Sequence, residues 1–234
     1  IIKAYLSYGI DAIMGPISTN EMCLRAIRYA EDRLGEKLIL IDTPAMNVDD
    51  SPTARREAEA VVRHSAEIGS TFCLIHHTSM EQLVNKNLRT ITRLPDYLAM
   101  IRDAEMLPGL SAHMPEAIQY SDANGYDVET YIQIFNCLGF LMQIEVEGVW
   151  RIIQNAKKPV MTIKPFAAGR TTPFVGLHFN WNVLRDCDMI TMGVMSEGEV
   201  HEDVEISFAA LERRAPALAA RSSPFRQQLL GHEE

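Results

Sequence analysis

Seven short apolar runs, each of strand length and separated from the next by helical or polar segments, limit what this chain can fold into. They cover residues 12–14, 37–41, 71–76, 109–112, 129–135, 160–163 and 189–192. Runs this apolar, without polar alternation, mark strands buried on both faces, which requires a parallel sheet covered by helices. The segments between them carry helix signals. Thr19 or Asn20 precedes EMCLRAIRYAEDRLG, which Gly35 closes, and Ser51-Pro52 precedes TARREAEAVVRHSAEIG, which Gly69 closes. Pro115 opens PEAIQYSDANG, and a helix over about 143–156 leads to the strand that Pro159 introduces. Strands recurring roughly every 20 to 36 residues, with no Gly-rich phosphate turn after the first, predict an α/β chain folded as a (β/α)8 TIM barrel rather than an open doubly wound sheet. The opening IIKAYLSYG reads as the end of a helix, so the first of eight strands is expected to be missing from the N-terminus of this chain. A single barrel domain is expected over 1–213, with a polar, Arg-containing C-terminal extension over 214–234.

Composition narrows the partners. With 234 residues, 47% of them hydrophobic, the chain can bury the core of one large domain. A net charge of -9 offers no basic face to displace counterions, which sets nucleic acid aside. No apolar run approaches the roughly 18 residues needed to span a bilayer, so no membrane partner is expected. Cys23, Cys73, Cys137 and Cys187 form no CxxC pair, which suits buried, reduced thiols in a cytoplasmic protein. A small-molecule substrate is the expected partner, with a homo-oligomer left open. Trp150 and the methionine-rich strands read as core packing.

In such a barrel the chemistry sits where the strands end. The polar residues at those ends are Asp42, His76, His77, His113, Gln133, Asn136 and Lys164. Imidazoles move protons or bind metals, and a neighbouring carboxylate fixes their tautomer. Asp42, His76 and His113 together would offer a divalent metal one carboxylate and two imidazoles, and so a metal-assisted hydrolase or lyase. Whether His76 or His77 points inward is left open by the pattern. Lys164, ending an apolar strand, reads either as a desolvated nucleophile or as the partner of a carboxylate. After it, Ala167-Ala168-Gly169-Arg170 reads either as a phosphate cradle with Arg170 as counter-charge or as a tight turn. Ser196, three residues before Glu199, has capping-box spacing. The acidic run Glu197, Glu199, Glu202 and Asp203 reads as a solvated first turn. A barrel that binds a small molecule without catalysis is a further alternative.

Taken in order, LSYGIDAI, FCLIHH, GLSAHMPEAIQYSDANGYDVETYIQIFN, KPVMTIKPFAAGR and MGVMSEGEVHEDVE resemble the aldo/keto reductase superfamily over about 4–211. The resemblance implies an NADP- or NAD-linked oxidoreductase acting on a small carbonyl or alcohol. It implies His76 as the catalytic histidine, and Ser111 and Gln133 beside the nicotinamide carboxamide, with Asn136 closing that strand. The loop from Phe166 through Ala167 and Gly169 to Arg170, and the helix start at Ser196 and Glu199, would take the cofactor phosphates. Three of the four catalytic positions depart from the family pattern, and Ile163 stands where an aromatic would stack on the nicotinamide. Met14-Gly15-Pro16 stands where an aspartate is expected, 17–21 holds no tyrosine, and LILIDTPAM supplies Asp42 and Thr43 in place of a lysine. The final strand MITMG also lacks a basic partner for a 2′-phosphate.

Overall fold

A computed structural model describes residues 1–218; residues 219–234, which make up most of the expected C-terminal extension, lie outside the described residues. The strands are β1 (Ala12–Gly15), β2 (Ile39–Asp42), β3 (Phe72–Ile75), β4 (Val84–Asn85), β5 (Thr90–Ile91), β6 (Leu107–Ala112), β7 (Thr130–Ile134), β8 (Val160–Ile163) and β9 (Met189–Thr191). The helices are α1 (Ile2–Leu6), α2 (Glu21–Leu34), α3 (Pro52–Glu67), α4 (His77–Met80), α5 (Leu94–Asp103), α6 (Glu116–Asn124), α7 (Val146–Asn155), α8 (Pro173–Val183) and α9 (Glu197–Glu212). Seven strands pair in the order β1-β2-β3-β6-β7-β8-β9, every pairing parallel. They curl into a nearly closed barrel on the (β/α)8 plan. The antiparallel β4–β5 hairpin stands apart from it.

Local chemistry explains the boundaries. Asn20 caps α2 by accepting from the Cys23 N–H at 3.0 Å, and Gly35 ends that helix at φ 70°, a conformation open to glycine without strain. Ser51 caps α3 through the Ala54 N–H at 3.1 Å, with Pro52 in the first turn, where no N–H is needed. The predicted strand over 71–76 stops at Ile75 because His76 turns to cap α4.

The barrel has two apolar layers. Inside, Ile41, Leu74, Ile132 and Met161 form a cluster made of strand residues alone. Outside, the larger core packs Cys73, Ile75, Leu110, Tyr131, Phe135 and Val160 against α3, α5, α6 and α7. Burial of each such side chain is worth about 1.5–3 kcal/mol. Helix α1 packs on both α2 and α9: Ala4 joins Val200 and Val204, while Ile2 and Leu6 lie against the cluster around Ile27. Two composition-based expectations are corrected. Trp150 is 37% exposed, its Nε1 donating to the Val183 carbonyl from the surface of α7, so it is not core. Of the four thiols only Cys73 is buried, and Cys187 is exposed.

Candidate functional site

Alternation along each strand sorts the residues expected at the barrel mouth. On β2, Ile41 faces the interior, and Leu40 packs outward with Ile27 of α2. Asp42 shares Leu40's side. Its Oδ1 accepts from the Ser18 N–H at 3.1 Å, and its Oδ2 is buried without a partner. Asp42 therefore faces the helix layer and does not join His76 and His113, which corrects the expected metal trio. On β7, Tyr131 and Phe135 pack in the outer layer, and Gln133 lies on their side. Gln133 donates through Nε2 to the carbonyls of His113 and Ile134, at 3.3 and 3.2 Å. It does not converge with Ser111, which shares the parity of inward-facing Gly109 on β6 and is 6% exposed. Asn136 is fully buried, and both ends of its amide are used. Nδ2 donates to the Phe140 carbonyl, and Oδ1 accepts from the N–H groups of Leu138 and Phe140. Its part is to hold the loop after β7, not to touch a cofactor.

The groups that do converge are imidazoles and one carboxylate. β3 pairs with β6, so the chain leaving Ile75 emerges beside the chain leaving Ala112. His76 and His77 follow the first strand and His113 the second, all three half-buried. The His77 and His113 rings stack with centroids 3.8 Å apart and planes at 21°, and His76 lies 4.2 Å from His77. Glu81, one helical turn beyond His77, reaches back to the end of β6. Its Oε1 accepts from the N–H groups of His113 and Met114, at 2.5 and 3.1 Å. Ligand-capable atoms of His77, Glu81 and His113 all lie within 4.8 Å of one another. Among the described residues this is the one group of three or more such side chains with that property.

Burial pushes the His113 pKa down to about 4, helped by the His77 ring and the charge of Lys164 and opposed by Glu81. Burial, then His77, lowers that of His76 in the same direction. At His76, Nδ1 lies 2.8 Å from the Thr78 hydroxyl and accepts from the Thr78 N–H at 3.4 Å. In the neutral ring that arrangement assigns the proton to Nε2. The sequence pattern leaves His77 undecided and misses Glu81. The signal for both is their four-residue spacing in HTSME, which puts them on one face of a helical turn.

Beyond β8, Lys164 takes φ 59° and turns the chain out of the strand, so it belongs to the loop and is half-buried there. Ala167, Ala168 and Gly169 follow with φ of 49°, 54° and 80°. The N–H groups of Ala167, Gly169, Arg170 and Thr171 are spent on the carbonyls of Lys164 and Phe166. These bonds close a tight turn, which leaves few of its N–H groups for a phosphate. A cavity of about 660 Å³ opens beside it, lined by Phe166, Gly169, Arg170 and Thr172, with Gly193, Glu199 and Asp203 from the β9–α9 side. The Arg170 guanidinium lies over the Phe140 ring, 4.0 Å from its centroid. At the start of α9 half of the expected capping box is present: Ser196 Oγ accepts from the Glu199 N–H at 3.2 Å, but Glu199 Oε2 accepts from the N–H of Met195, the residue before the cap, at 2.7 Å. Asp203 is 2% exposed, so the acidic run is not wholly solvated as expected.

No protein-family model and no curated protein matches this chain. Among solved structures, two from Pseudomonas aeruginosa, each provisionally described as an aldo-keto reductase, are similar to it. Their TM-scores are 0.64 and 0.63, both at 13% identity over 90% of this chain, covering 79% and 81% of theirs. At that identity the likeness is one of fold alone, and it places this chain among (β/α)8 barrels. No helix among the described residues is long and apolar enough to cross a membrane.

Proposed function

We propose that the chain is a divergent oxidoreductase that transfers hydride between a nicotinamide cofactor and a small carbonyl or alcohol, with NAD favoured over NADP. The observation that carries this reading is the cavity of about 660 Å³ between the loop after β8 and the start of α9. The N-terminus of α8 borders it at the cap residue Thr172, and helix N-termini favour anions such as a diphosphate. Arg170, stacked on Phe140, supplies a cation at its edge. Glu199 and Asp203 on the same lining suit ribose hydroxyls and repel a 2′-phosphate, which is the reason for preferring NAD.

The fit is better at the phosphate end than at the nicotinamide end, where Ser111 faces inward while Gln133 and Asn136 are turned away or fully bonded. A nicotinamide, when bound, supplies the hydride. The rest falls to this chain. His76 Nε2–H, with Nδ1 held by Thr78, can donate a hydrogen bond to the carbonyl oxygen and polarise it. The half-buried setting of the three histidines limits water around the reacting oxygen.

The test is calorimetric titration of the full-length protein with NADH and NADPH. NADH should bind at least about tenfold more tightly, and Arg170→Ala should weaken it by about 10–100-fold, the loss of one charge-assisted hydrogen bond. Absence of binding by either cofactor, or binding indifferent to Arg170→Ala, would sink the reading.

A further inference from the structure

The family pattern of an acid at the barrel mouth is unmet: β1 ends in Met14-Gly15, residues 17–21 contain no tyrosine, and Asp42 faces the helices. What the mouth holds instead is the convergence of His77, Glu81 and His113. We propose that these three side chains bind one divalent transition-metal ion, zinc or a metal of similar preference, at the C-terminal ends of β3 and β6.

The geometry carries it in three ways. The donor atoms all lie within 4.8 Å of one another, so side-chain rotations that open the His77–His113 stack would bring them to a common ion. Their arrangement comes from two independent elements. His77 and Glu81 share one face of the turn after β3, and His113 arrives from the end of its paired strand β6. Glu81 is fixed in place because its Oε1 takes the N–H groups of His113 and Met114, which leaves Oε2 turned to no other protein partner among the described residues. A carboxylate clamped by backbone donors is the kind of support that orients a metal ligand.

The two imidazoles add the chemistry of the donor set. Their rings stack, and among the described residues no ring nitrogen of either makes a hydrogen bond to another protein group. His76, by contrast, spends its Nδ1 on Thr78. Two imidazoles and one carboxylate select a borderline transition metal over magnesium or calcium, which prefer all-oxygen shells. Three protein ligands leave coordination positions open, as catalytic rather than structural sites do. An ion held here, adjacent to His76, would act as a Lewis acid on a substrate oxygen, a task that otherwise falls to a protonated side chain. The metal site does not rest on the cofactor reading, and either can fail alone.

The experiment uses chelator-stripped full-length protein titrated with zinc alone by calorimetry, without NADH. One ion should bind per chain, with dissociation constant below about 1 µM. His77→Ala and His113→Ala should each weaken binding by more than about tenfold, while His76→Ala leaves it intact. Thermal unfolding in chelator identifies any variant that fails to fold. X-ray absorption at the zinc edge of the unmutated protein reads the ligand set directly and does not depend on the variants. An oxygen and nitrogen shell with two imidazoles is the expected result. A sulfur-containing shell, no tight binding, or binding unaffected by both His77→Ala and His113→Ala would overturn the site.

Discussion

A single buried carboxylate shows how this chain couples charge to folding. Glu31, near the end of α2, is 6% exposed. Its Oε2 accepts from Arg28 Nη1 at 2.6 Å and its Oε1 from the Leu38 N–H at 3.1 Å, just before β2 begins. Burial alone would raise its pKa, but the Arg28 hydrogen bond and the Leu38 N–H outweigh it, and the carboxyl titrates below its ordinary value. A carboxylate lowered on folding adds stability above its unfolded pKa, and that contribution is lost as pH falls through the folded one. Glu31→Gln should therefore cost about 1–3 kcal/mol at pH 7 and flatten the acid limb of the stability curve, measured by urea unfolding from pH 3 to 7. An unchanged acid limb would mean that Arg28 and Leu38 are satisfied elsewhere. The same scale explains where the site was illegible. ILID is apolar up to Asp42, so a strand buried on both faces gives no alternation from which to read the carboxylate's direction. Glu81 was missed for a different reason: its four-residue spacing from His77 is local, but its contact with His113 depends on β6 lying beside β3, which that spacing does not contain.

At the scale of elements, the strands were legible because burial on two faces leaves a plain apolar run, and β8 was read to the residue over 160–163. The helices were legible where a cap and an amphipathic stripe coincided, as in α2 and α3. α5 was overlooked although Leu94, Tyr97, Leu98 and Ile101 have helical spacing, because it begins after Arg93 in a left-handed turn with no side-chain cap. α8 escaped because PFVGLHFNWNV is apolar on nearly every side and offers no stripe to recognise. Packing between elements makes one sharp demand. A Cβ on Gly109 of β6 would lie 2.7 Å from both Leu74 Cγ and the Thr130 carbonyl oxygen. The oxygen belongs to the backbone of β7 and cannot step aside without disturbing the sheet. Gly109→Ala should destabilise the protein by about 1–3 kcal/mol in equilibrium unfolding. A neutral effect would show that β6 and β7 can part locally.

For the whole molecule, the barrel brings two distinct chemical environments to one rim. On the β3–β6 side stand three histidines and Glu81, and on the β8–β9 side a cavity bordered by the N-terminus of α8, Arg170 and two carboxylates. The loop after β8 and the helix start at Ser196, which the resemblance assigns to cofactor phosphates, both border the second environment. The resemblance misjudged the inward polar set, because Gln133 and Asn136 are committed to the framework. On the proposed reading a nicotinamide cofactor lies across this rim, its phosphates in the cavity and its ring toward His76. Crystals of the full-length protein grown with NADH test that placement most directly. Density is expected for the diphosphate beside Arg170 and Thr172, for ribose hydroxyls toward Glu199, and for the nicotinamide over Ser111. Cofactor density elsewhere on the barrel, or none in the cavity at saturating NADH, would contradict it.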